Sequence, residues 1–181
     1  MKLYRFSPIK NHKELLEAVK HIHVECHKLC MESLGKYLPN AGNMGIFCHY
    51  DKEYETLIKI REKLAEPSDN PNQKYFRLYK AITISAKAGI PRATYTHIYF
   101  RKPDPYRHHV GDLDFYLEQE KYTRLKQSIL AGKNVKGARV FERPDLDMVE
   151  LYNPDVDVLA YVSTKKMTQK VRIKQSEITK L

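Results

Sequence analysis

Two carboxylates stand two residues apart, Asp112 and Asp114, in the run Gly111-Asp112-Leu113-Asp114-Phe115-Tyr116-Leu117. Strand alternation puts both acids and Tyr116 on one face and Leu113, Phe115 and Leu117 on the other. Acids so placed can move a proton, ligate a metal ion, or pair with basic side chains such as Arg101, Arg107 and Arg139. The preceding loop, Pro105-Tyr106-Arg107-His108-His109-Val110, adds two imidazoles and a guanidinium. Such a loop suits a lid, an acidic-substrate clamp or a general base. His108 joins Asp112 and Asp114 as a candidate proton carrier, and Tyr99, Arg101, Arg107 and His109 are candidate substrate contacts. Alternation elsewhere supplies further polar faces: Asn43, Phe47 and His49; Tyr95, His97, Tyr99 and Arg101; Met148, Glu150 and Tyr152.

Other clusters carry less. In His21-Ile22-His23-Val24-Glu25-Cys26-His27-Lys28-Leu29-Cys30, helical spacing pairs His23 with His27 and Cys26 with Cys30. One helix cannot wrap four ligands around one ion, so core cysteines flanked by surface histidines are expected there. Asp145/Asp147 and Asp155/Asp157 follow or flank prolines and read as turns. No P-loop, dinucleotide fingerprint, nucleophile elbow or His-Glu-X-X-His motif occurs.

The elements that position these groups follow from periodicity. A short strand around residues 3–7 precedes a helix capped by Asn11, whose Leu15, Val19, Ile22, Cys26 and Leu29 form one stripe, closed by Gly35. Strands are expected at 44–50, 74–85, 93–101, 112–117, 138–142, 147–152 and 157–163. Helices open at Asp51 and just after 117. Residues 165–181 favour a strand weakly. The organisation is residues 1–40 as an N-terminal strand and helix extension, 41–163 as the main domain, and 164–181 as a basic tail. The fold class is α+β.

The chain has 181 residues and a formal charge of +10. Residues 104–157 hold 11 acids and 8 bases, so the excess lies elsewhere, partly in the last 24 residues. A basic tail suits solubility or contact with a polyanion such as nucleic acid. Three cysteines and no signal-peptide core point to reduced thiols in a cytoplasmic protein, and no apolar run is long enough for a membrane span.

From 44 to 163 the order is strand, helix, strands, then strand, helix, three strands. This repeated βαβββ order resembles the vicinal oxygen chelate superfamily, which includes glyoxalases, bleomycin-resistance proteins and extradiol dioxygenases. The run Val149-Glu150-Leu151-Tyr152-Asn153-Pro154-Asp155-Val156-Asp157-Val158-Leu159-Ala160-Tyr161-Val162 resembles its closing hairpin, with Val156 where glycine is common. Ile46-Phe47-Cys48-His49, Tyr75-Phe76-Arg77-Leu78 and Gly111-Asp112-Leu113-Asp114 look like the YecM-like branch.

The resemblance implies paired βαβββ modules in a curved mixed sheet around a cleft. It implies convergence there of His49, His97, Asp112, Asp114 and Glu150. A divalent ion (Zn, Fe, Mn or Ni) on His49, His97, Asp112 and Glu150 would follow, although the two anchor positions hold Asn43 and Asp112 rather than histidines. The function implied is binding of a small, anionic or vicinal-oxygen ligand by an enzyme, of lyase, isomerase or dioxygenase class. The other reading is a non-enzymatic module that binds nucleic acid or a protein partner through its basic surface. Related folds often pair subunits, which leaves a homodimer open.

Overall fold

The computed structural model describes residues 4–133 and 135–174. Helix α1 (His12–Leu34) begins where the Asn11 side chain accepts from the Glu14 N–H, and ends where Gly35 takes a left-handed conformation. It buries Leu15, Val19, Ile22, Cys26 and Leu29, the stripe that its spacing predicts, together with Ala18. Tyr4–Lys10 run as bends rather than a strand. They are held by side chains: Arg5 Nε donates to Asp157 Oδ2 at 2.6 Å, and the Ile9 N–H donates to Glu53 Oε1 at 2.8 Å.

Two modules follow. The first is β1 (Asn40–Phe47), α2 (Asp51–Leu64), β2 (Phe76–Ile84) and β3 (Ala93–Arg101). The second is β4 (Gly111–Leu117), α3 (Gln119–Leu130), β5 (Ala138–Arg143), β6 (Leu146–Leu151) and β7 (Val158–Thr164). They build one open seven-stranded mixed sheet in the order β2-β3-β1-β4-β7-β6-β5. Each module pairs its first strand in parallel with its last, β1 with β3 and β4 with β7. The modules join through the antiparallel β1–β4 pair at the centre. The repeat expected from sequence is present, with two strands rather than three after the helix of the first module.

The main core lies between the sheet and helices α1, α2 and α3. Leu113 and Phe115 of β4 are fully buried there against α1 residues such as Ile22 and Cys26, with Leu57 of α2 and Tyr122 of α3 in the same cluster. Fully burying such side chains contributes about 1.5–3 kcal/mol each, which fixes the register of β4 and sends Asp112 and Asp114 to the opposite face. That face carries a second, smaller cluster of Tyr75, Met148 and Val171, joined by Tyr99, Phe141 and Tyr161.

The C-terminal segment covers part of this second face. Instead of the expected strand, Lys165–Lys170 form a helix, α4, whose N-terminus is capped by the Thr164 hydroxyl. The Arg172 carbonyl then accepts from the Lys74 and Tyr75 N–H groups, both at 2.9 Å. Lys170 lies 3.3 Å from Asp145. The described part of the basic tail is therefore docked on the body: Val171 is buried and leaves Arg172 half-buried beside it. The rest of the tail lies outside the described residues. No helix among the described residues is long and apolar enough to cross a membrane.

Candidate functional site

Asp112 and Asp114 lie side by side at the floor of a hollow of about 320 Å³ on the second face. Phe47, Lys74, Tyr75, Tyr99, Arg101 and Arg107 form one side of it; Phe141, Arg143, Met148 and Tyr161 form the other. The hollow thus sits over the junction of the two modules, where β1 crosses β4. Two acids face four cations.

The carboxylates are packed tightly. Gly45 pairs with Asp112 across β1–β4, and any Cβ at position 45 would overlap the Asp112 carboxylate. A Cβ at Gly111 would likewise run into the Gly45 carbonyl. Asp112 Oδ1 is buried with no hydrogen-bond partner of good geometry among the described residues. Asp114 Oδ2 accepts from Asn43 Nδ2 at 2.8 Å. Asn43 is held in turn: Nδ2 also donates to the Thr168 carbonyl at 2.7 Å, and Oδ1 accepts from Arg172 Nε at 2.9 Å. The docked tail thereby orients the amide that orients Asp114.

Burial raises the pKa of both acids. For Asp114 the next contribution is the neighbouring Asp112 charge, and the two together push it up to about 7, against lowering by Asn43, Lys74 and Arg172. Asp112 is also raised by burial, but Lys74, Arg101 and Arg107 pull it back. Two like charges this close do not both ionise readily, so the pair shares one proton near neutrality. Lys74 stands 4.9 Å above the Tyr99 ring and 5.2 Å from that of Tyr75. Burial pushes the Tyr99 hydroxyl up to about 12 and raises those of Tyr75 and Tyr161 as well. All three phenols are therefore neutral in the lining, with Tyr75 buried and the Tyr161 hydroxyl bonded to Glu150.

The predicted side chains divide. Asp112, Asp114, Tyr99, Arg101 and Arg107 meet at this hollow. Arg101 and Arg107 both reach Asp104 Oδ2, at 2.8 Å and 3.9 Å, which steadies them beside the opening. Glu150 is buried on the same face, but Arg139 grips its Oε1 through Nη2 at 2.5 Å and Nε at 2.8 Å. It is a paired acid. His97 also lies on this side of β3; its Nδ1 bonds to the Thr96 hydroxyl at 2.9 Å. Burial, with Arg172 and Arg77 nearby, lowers its pKa to about 4.

His49 does not face the hollow. It follows the end of β1, stacks on Tyr4 at 3.8 Å, and bonds through Nδ1 to Ser7 Oγ at 2.6 Å. His108 and His109 stack on each other at 4.3 Å away from the lining, with His108 exposed. The expected metal ligands His49, His97, Asp112 and Glu150 therefore do not form one set. Among the described residues no three His, Cys, Asp or Glu side chains are grouped to hold a metal ion. Asp112 and Asp114 together also face Lys74, Arg101, Arg107 and Arg143, whose charges oppose a dication. The donor set does not fit a metal centre.

Two further expectations need correcting. Tyr95 is not on the polar face: it is 1% exposed in the main core, its hydroxyl 2.7 Å from His23 Nδ1. Nor are His23 and His27 surface histidines. Both are 1% exposed, His23 satisfied by Tyr95 and His27 by the His23 carbonyl at 2.7 Å. The three cysteines are buried and unbridged, as expected.

Sequence reasoning missed Lys74, Tyr75, Arg143 and Tyr161. Tyr161 was within reach of pattern reading, because it stands opposite Asp114 in the parallel β4–β7 pair. Lys74 and Tyr75 fall within the strand expected at 74–85, but β2 begins at Phe76 and leaves them in the connection ahead of it, where alternation does not apply.

No family model matches the chain, and no curated protein is similar to it. Among solved structures, it is similar to one described as "Structural Genomics, Protein EC4020", with a TM-score of 0.58 and 13% identity over 93% of this chain and 97% of that one. A Streptomyces coelicolor methylmalonyl-CoA epimerase variant in complex with 2-nitronate-propionyl-CoA aligns at a TM-score of 0.32 and 14% identity, over 70% of this chain and 98% of that one. A second variant of that epimerase gives 0.29 and 16%, over the same shares. The two epimerase scores are too low to argue from. At 13% identity, the first likeness shows a shared fold along nearly the whole of both chains, and nothing about activity.

Proposed function

We propose that the hollow binds a small organic anion and that Asp112 and Asp114 exchange a proton with it, in a chain of the vicinal oxygen chelate type, YecM-like branch. The single observation that carries this is the pair of adjacent buried carboxylates in a hollow lined by four cations. Burying two acids costs stability, and packing alone gives no reason to keep both. The module order and the closing hairpin support the superfamily; the local echoes support the branch.

In this reading Arg101 and Arg107 hold the anionic group, leaving the reacting carbon over the acids. Asp112 accepts a proton from the carbon next to a carbonyl or carboxylate. The electron pair moves onto that oxygen, where Lys74, Arg101 and the neutral tyrosine hydroxyls stabilise the charge. Return of a proton from Asp114 or Asp112 to carbon completes an exchange or an isomerisation. Every atom needed is in the ligand and the two acids, and the phenols and guanidiniums only orient and stabilise.

The test is deuterium incorporation. Pyruvate, 2-oxobutyrate and malonate are incubated with the protein in D₂O and followed by proton NMR. At least one should exchange faster than in buffer, and Asp112→Asn should abolish the gain. No catalysed exchange and no rise in melting temperature with any of the three would refute the proposal.

A further inference from the structure

A second hollow, of about 400 Å³, opens beside the first and shares Lys74, Tyr99 and Arg101 with it. Its charge is lopsided. Arg61, Lys74, Arg101, Lys102 and Lys174 line it, with Asp104 as the acid among the lining residues. That carboxylate is already engaged, by Arg101 at 2.8 Å and by the Tyr106 N–H at 3.0 Å. The cations come from separate segments: α2, the connection before β2, the end of β3, and the docked C-terminal segment. Such convergence differs from a solvated helix face, where like charges repeat along one element.

The cations are also oriented. The Arg61 guanidinium lies 3.8 Å over the Phe76 ring, Lys74 lies 4.9 Å over Tyr99, and Lys102 lies 6.0 Å over Tyr54. A guanidinium stacked on a ring keeps its edge donors free for an anion. One carboxylate would be satisfied by one or two of these groups. With Arg101 paired to Asp104, the four cations besides it still suit a group with several anionic oxygens.

We infer that this second hollow holds a phosphate or diphosphate arm of the ligand whose reacting head lies over Asp112 and Asp114. The inference rests on the acid–base reading for the head, but the arm site stands on its own lining. Lys74 and Arg101 mark where head and arm join, so the ligand class is a phosphorylated small molecule with an acidic C–H.

Calorimetric titration with pyrophosphate at low ionic strength tests the arm alone. Pyrophosphate should bind, and inorganic phosphate more weakly. Arg61→Gln and Lys102→Gln should each weaken pyrophosphate about tenfold. Asp112→Asn should not weaken it. Lys102 is exposed, so its replacement keeps the test valid if Arg61→Gln misfolds, which circular dichroism would show. Absence of pyrophosphate binding while deuterium exchange proceeds would overturn this inference and leave the acid–base reading standing. Binding insensitive to Arg61 and Lys102 but lost in Lys165→Gln/Lys166→Gln would also overturn it, as attraction to the outer surface. Binding lost in the hollow variants, with no deuterium exchange in any protein, would support the arm site and refute only the proton chemistry.

Discussion

Replacing Asp114 with asparagine should stabilise this protein above neutral pH, although it removes a side chain from the candidate site. The buried Asp114 carboxyl titrates at about 7, against 3.8 for the unperturbed group. A raised acid pKa means that the folded state keeps a proton that the unfolded chain gives up. Its contribution to stability is therefore full below pH 3.8, declines as pH rises, and is lost above about 7. The slope is about 1.4 kcal/mol per pH unit, and three units give a ceiling of about 4 kcal/mol. Asp112 shares the proton and ionises more easily in the variant, so a net gain of about 2–4 kcal/mol is expected at pH 8. The replacing amide keeps an oxygen to accept from Asn43 Nδ2. In a chain of this size the gain corresponds to a melting temperature higher by about 5–10 °C. Urea unfolding of both proteins from pH 5 to pH 8 isolates the effect, because histidine contributions cancel in the difference. A variant less stable at pH 8, or a difference that does not change with pH, would refute the reasoning.

Two further outcomes are expected. Gly45→Ala should destabilise by about 1–3 kcal/mol, because its methyl must displace the Asp112 carboxylate; Asp112→Ala in the same chain should recover part of the loss, and a neutral Gly45→Ala in urea unfolding would contradict the packing. Burial first, then neighbouring positive or imidazole groups, holds His23, His97 and His109 at about 4. The folded state keeps these rings neutral, so stability should be full above pH 6.5 and fall towards pH 4. This is measured in an Asp112→Asn/Asp114→Asn background, where the opposing slope of both raised carboxyls is absent; a flat profile there would show that the rings protonate freely.

Local chemistry wrote most of the fold into the chain. The Asn11 cap, the α1 stripe and Gly35 mark one helix from end to end, and the alternation in Gly111–Leu117 assigns Leu113 and Phe115 inward and both acids outward. What failed was phase and reach. Alternation carried through 93–101 puts Tyr95 beside Tyr99, yet Tyr95 and Ile98 both enter the main core. The neighbouring strand explains this: β2 shifts register against β3 between Arg77 and Ile82, opposite His97 and Tyr95, and an irregularity resets which side a residue faces. His49 lies two residues beyond the end of β1, where strand alternation no longer applies, and Tyr4 and Ser7 claim it. Glu150 was placed on the right face, but the Arg139 that neutralises it is a cross-strand partner, which only pairing register reveals. The contribution of Lys74 depends on docking of the C-terminal segment, a long-range contact with no local signal.

Carbon-13 NMR of the aspartate carboxyl groups, followed from pH 3 to pH 9, reads the shared proton itself. Asp114 should titrate near pH 7, and its midpoint should fall in Asp112→Asn, where the adjacent charge is gone. If both carboxyls titrate together near 4, each independent of the other, the acids are not a coupled buried pair and the proton chemistry proposed for this hollow is wrong.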